Sequence, residues 1–154
     1  MKTIAALSAL VLLVGLAGPT AASEEAPSAG IWHYQKRMFI GGADVYTTLK
    51  KDGSCTQVVK GRAFGMTQWG VYGCTWSTEK EQLNIHLTES PSQPEAAGKT
   101  VSYKVLSVSP EQLHLEIEDE KHEWNQVQAL PEPFAEQLES SGVGAAQQGA
   151  APDA

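Results

Sequence analysis

The chain has no apolar run long enough to cross a membrane. Its longest, residues 4–16, stops at Gly18 and Pro19, short of the roughly 18 residues a spanning helix needs. It has two cysteines and no C-x-x-C, so nothing sets them up as a redox pair. There is no G-x-S-x-G, no phosphate-binding glycine loop and no Ser/His/Asp set. The four histidines, His33, His86, His114 and His122, lack the tight spacing of metal ligands. These absences leave no expected catalytic residue, metal or cofactor. Positive charge is also scarce, with 11 Lys and Arg against 18 Asp and Glu. Its small clusters, Lys36 with Arg37 and Lys50 with Lys51, read as solvated strand ends. A net charge of −7 argues against nucleic acid and against an anionic membrane surface as partners.

The ends of the chain read differently from its middle. Residues 1–22 carry Lys2, then the apolar run, then Gly18, Pro19 and the small residues Thr20, Ala21 and Ala22. That is the pattern of a secretory signal peptide, cleaved after Ala22 or Ser23. Its loss removes one cation and takes the net charge from −7 to −8. Export to a periplasmic or extracellular space follows, with no membrane span left in the mature chain. Residues 23–29 form a polar, Pro27-containing lead-in expected to be flexible. From Ala129 to the end the composition turns to Ala, Gln, Gly, Pro, Ser and Glu. Residues 129–154 are expected to be a disordered tail with at most one helical turn near Phe134 to Leu138.

Between these ends, residues 30–128 alternate with the period of strands. The first strand runs from Gly30 to about Arg37. The second, 43–51, sets Val45, Thr47 and Leu49 against Tyr46, Thr48 and Lys50. Asp52-Gly53 is the strongest hairpin signal in the chain. Strands follow over 54–60, 67–77, 82–88, 100–109, 111–118 and 121–128. In the 100–109 strand the apolar phase flips at Leu106, which predicts a β-bulge there. Glu116, Glu118, Asp119, Glu120 and Glu123 read as a solvated acidic face. About eight short strands with no helix between them predict an all-β, antiparallel up-and-down meander, closed or nearly closed into a barrel. Closure is favoured because it removes unpaired edges.

Cys55 and Cys74 fall opposite each other if the hairpin of the third and fourth strands turns between Phe64 and Gly65. Two cysteines facing across neighbouring strands of an exported chain predict a disulfide staple.

The sequence resembles the small bacterial lipocalin-like (calycin-like) domains. Gly30-Ile31-Trp32 is similar to the G-x-W that opens the first lipocalin strand. The segments 49–53, 73–76, 82–85 and 103–108 with 113–115 follow in the same order, so the resemblance spans 30–128. It implies a barrel that binds a small apolar molecule.

In such a meander, alternate connections lie at opposite ends. The polar turns at 52–53, 78–81 and 109–111 gather at one end, near Trp32, Trp76 and the cysteines. The connections 38–42, 61–66 and 90–98 gather at the other and bring Met38, Phe39, Ile40, Phe64 and Met66 together as an apolar rim. Tyr34, Gln57, Tyr103 and Thr47 are the inward polar groups that would orient a ligand. Two readings stay open. In one, a monomeric, non-enzymatic exported domain takes a small apolar or amphipathic ligand at the Phe39/Phe64 mouth. In the other, the interior is solid and the same loops dock a protein partner, as in an inhibitor or envelope-assembly factor.

Overall fold

Period-two alternation dictates one inward and one outward face per strand, and the chain uses both. A computed structural model describes residues 26–144. The expected leader and residues 145–154 lie outside the described residues. Eight strands run in sequence: β1 (Gly30–Met38), β2 (Gly41–Leu49), β3 (Ser54–Ala63), β4 (Met66–Glu79), β5 (Gln82–Glu89), β6 (Thr100–Val108), β7 (Gln112–Ile117) and β8 (Glu120–Val127). Each pairs antiparallel with the next and β8 returns to β1, closing a barrel. This is the expected up-and-down meander. The bulge falls at Leu106, between the pairs Val105↔Leu115 and Ser107↔His114. It turns Val108 back to the core and leaves Leu106 exposed.

The interior holds Trp32, Leu49, Leu83, Ile85, Leu113, Leu115 and Trp124, all essentially inaccessible to solvent. Cys55 and Cys74 are register partners with Cα atoms 4.8 Å apart and form the disulfide. Around them the closed end is tied down by indole donors. Trp76 Nε1 donates to the Lys50 carbonyl at 2.8 Å, and Trp32 Nε1 to the Ser28 carbonyl at 3.1 Å. The second bond, with the burial of Pro27, anchors residues 26–29, so the described part of the lead-in is docked rather than flexible.

The expected tail also needs correction. Residues Glu132–Ser141 form a helix, α1, and not a disordered segment. Phe134 and Leu138, four residues apart, share one helix face, and Leu130 just before the helix packs beside them. That face covers Val58 and Val71 on the outer surface of β3 and β4, with Tyr46 and Trp69 at its margin. Gly142 ends the helix in the left-handed conformation (φ 72°), where glycine has no Cβ penalty. Beyond it Val143 is buried, and the Gly144 amide donates to Glu89 at 3.1 Å. Among the described residues no helix is long and apolar enough to cross a membrane.

The connections at the Phe39/Phe64 end are shorter than the sequence suggests. The supposed loops 38–42 and 61–66 are two-residue turns at Phe39-Ile40 and Phe64-Gly65, and their flanks are strand. Phe64 (φ 52°) and Gly65 (φ 74°) both lie in the left-handed region, the geometry whose twist suits a two-residue hairpin.

Candidate mouth and aromatic site

Strand length sets the shape of the mouth. β5 pairs with β4 only from Gly73 onward, and β8 pairs with β1 only at Ile31, Trp32 and His33. The far ends of β1 to β4 therefore project beyond the ladder on both sides as a four-stranded lip. Their inward residues form successive levels: Trp32, Thr47, Gln57 and Tyr72; then Tyr34, Val45, Val59 and Gly70. Above these come Lys36, Ala43, Gly61 and Gln68, and finally Met38, Gly41, Ala63 and Met66. Small and apolar side chains dominate β2 and β3 here, leaving a smooth inner ramp from the tips to the core. Gly41 is required for it, because a Cβ there would run into the Arg62 carbonyl.

The five expected rim residues do come together. Gly41 pairs with Ala63, so the Phe39-Ile40 and Phe64-Gly65 turns stand side by side. Phe39, Phe64 and Met66 are exposed at 104%, 76% and 71%, and Met38 and Ile40 at about half. They do not plug the barrel. The inward polar set divides instead. Gln57 Nε2 donates to Thr47 Oγ1 at 3.0 Å, so those two satisfy each other. Tyr34 and Tyr103 meet around Trp124 and His122. Tyr34 stacks on Trp124 at 5.8 Å between ring centroids and tilts against His122 at 4.9 Å. Tyr103 meets the same rings edge-on, at 5.3 Å from Trp124 and 6.2 Å from His122.

Above this aromatic set, β1 and β8 part. A cleft of about 630 Å³ opens between them, lined by residues that include Tyr34, Lys36, Glu120 and His122. Lys36 Nζ bridges it to Glu120 Oε2 at 3.1 Å, and His122 Nε2 lies 3.5 Å from the same oxygen. The hydrogen bond from Lys36, then its charge, holds the Glu120 carboxyl below its ordinary range, and Glu120 raises the Lys36 ammonium in return. Burial pushes the Tyr103 hydroxyl far above the usual tyrosine value and the Tyr34 hydroxyl up as well. Two polar atoms here are buried with no hydrogen-bond partner: Trp124 Nε1 and His122 Nδ1.

Lys36, Glu120 and His122 are absent from the sequence-derived site. Lys36 reads there as a solvated strand end and Glu120 as part of a solvated acidic face; both do stay exposed, but on the side of their strands that turns toward the cleft. Parity along β8 carries the signal: once Trp124 is inside, His122 and Glu120 share its face. His33, His86 and His114 point elsewhere, bonded to Asp44, Thr100 and Gln112 respectively.

No family model and no curated protein matches the chain. Among solved structures it is similar to a lipocalin-like protein from Bacteroides uniformis ATCC 8492, with 20% identity over 64% of this chain and 97% of that one (TM-score 0.44). It is likewise similar to an uncharacterized protein from Bacteroides eggerthii DSM 20697, with 15% identity over 64% of this chain and 98% of that one (TM-score 0.44). The chain itself folds as the expected all-β, closed eight-stranded up-and-down barrel.

Proposed function

We propose that this protein is an exported, monomeric, non-enzymatic barrel that binds a small amphipathic molecule through its open mouth. The supporting observation is the pair of orphaned ring nitrogens, Trp124 Nε1 and His122 Nδ1. A buried donor left unmade costs about 1–3 kcal/mol, and an indole nitrogen can only donate. The site thus favours a ligand whose polar head accepts a hydrogen bond at Trp124, with Lys36 free to offer positive charge once it leaves Glu120. The ramp of Val45, Ala43, Val59, Gly61 and Ala63 suits the apolar remainder. The Cys55–Cys74 bond supports folding in an oxidising compartment, in keeping with the expected leader.

Decanoate is a suitable probe, since it joins an acceptor head to a short apolar chain. Titration followed by tryptophan emission is expected to saturate, and Trp124→Phe, which removes the donor and keeps the ring, to weaken binding about tenfold. Native mass spectrometry of the exported protein is expected to show a bound small molecule. A flat titration together with an empty native spectrum would overturn the proposal. The exposed tips also suit the solid-interior reading, in which they dock a protein partner; the flat titration would favour it.

A further inference from the structure

We propose that the Phe39 and Phe64 hairpin tips dock this protein onto an anionic lipid surface. The chain as a whole is acidic, but its charge is not evenly spread. Directly behind the five exposed apolar tip residues, the first three levels of the lip carry Arg37, Arg62, Lys36 and Lys60. Arg37 and Arg62 share one level on the outer face, separated only by Gly42, and both are exposed. Of the acids nearby, Asp44 contacts His33, and Glu120 pairs with Lys36, whose ammonium Glu118 also favours, so the free positive charge rests with Arg37, Arg62 and Lys60. Among the described residues Arg37 and Arg62 form no ion pair. Lys60 lies over the Trp69 ring at 5.2 Å. Apolar residues at the extreme tip with cations one level behind fit the layering of a bilayer, where acyl chains lie beneath anionic headgroups.

Two further features favour lipid over a protein partner. The tips are two-residue turns that end their strand pairs and carry exposed apolar side chains. Phe64 also holds a positive φ of 52°, unfavourable for a bulky residue, while its side chain is 76% exposed. The strain contributes nothing to the core, which directs attention to what the ring meets outside the protein.

Co-sedimentation with vesicles tests this without reference to any ligand inside the barrel, so its result is separable from the decanoate titration. The protein is used from Ser23 onward, because the apolar run of residues 1–22 would itself partition. Phosphatidylglycerol-containing vesicles are expected to pellet the protein, and pure phosphatidylcholine vesicles to pellet far less. Paired Arg37→Gln and Arg62→Gln should lower the partition about thirtyfold at low salt, at roughly 1 kcal/mol for each basic residue. Paired Phe39→Asp and Phe64→Asp should abolish it, whereas Leu106→Asp, near the closed end, should change nothing. A Phe64→Trp reporter should shift its emission to the blue on phosphatidylglycerol vesicles. The proposal is overturned if wild-type protein stays in the supernatant with both vesicle types. It is equally overturned if the paired Asp variant still pellets, or if Leu106→Asp matches it.

Discussion

Lys36 Nζ stands 3.1 Å from Glu120 Oε2, across the stretch of barrel wall where β1 and β8 share no ladder pairs. This ion pair spans the cleft lined by Tyr34 and His122, whose rings meet beside Trp124.

The pair should behave as a latch charged on both sides at neutral pH. Glu120 has its carboxyl lowered, so its contribution is full above the unfolded carboxylate value and is lost as pH falls through the lower folded one. Lys36 is raised, so its contribution is full below the unfolded lysine value and is lost only as pH rises through the higher folded one. Glu120→Gln should therefore speed solvent exchange of the Trp124 indole proton several-fold at neutral pH, measured by NMR. Well below the ordinary carboxylate range the two proteins should exchange alike, since Glu120 is then uncharged in both. Equal rates at neutral pH would mean the cleft is not held by this contact.

The outer helix makes a second, independent demand on the fold. Phe134 is only 7% exposed and packs against Tyr46 and Trp69, at 4.4 Å and 5.0 Å between centroids. Phe134→Ala should cost about 3 kcal/mol in urea denaturation. Ending the chain after Ala129 should do more, because it bares Val58 and Val71, and the shortened protein should aggregate. A loss under about 1 kcal/mol for Phe134→Ala would place α1 off the barrel.

Most of this architecture is legible in the sequence because half-buried strands advertise themselves. The parity of Leu83, Ile85 and Leu87, and of Leu113, Leu115 and Ile117, follows from the alternation of residues alone. So does the facing of Cys55 and Cys74. The helix is harder to see because its apolar residues are few and lie in an Ala/Gln/Glu background that reads as solvent-loving. The spacing of Leu130, Phe134 and Leu138, with prolines at its start and Gly142 at its end, is the signal that composition masks. The aromatic site is obscured for a different reason. Lys36, Glu120 and His122 are polar and individually ordinary, and only closure of β8 on β1 brings them to the same opening.

The disulfide closes the hairpin at the end of the barrel away from the mouth. Replacing both Cys55 and Cys74 with alanine should cost roughly 3 kcal/mol, the chain-entropy value for a loop of this size. Decanoate affinity should stay unchanged, because the rings around Trp124 do not rest on the cystine. A lost affinity with the barrel still folded, checked by circular dichroism, would show that the two ends are mechanically linked.

Phe64 offers the sharpest separation of stability from function. Its backbone sits at φ 52° and the next residue, Gly65, at 74°, a turn that Asn-Gly adopts readily and a bulky first residue resists. With its ring exposed, Phe64 gains little from packing to offset that conformational cost. Phe64→Asn should therefore stabilise the protein by about 1 kcal/mol, seen as a higher urea midpoint at unchanged slope. The same variant should lose most of its partition onto phosphatidylglycerol vesicles. A protein that becomes more stable and binds lipid less would show that the strained, exposed ring is kept for what it touches outside the fold. No stability gain would mean that Phe64 makes a compensating contact within the barrel, and the case for the tip built on strain would fail with it.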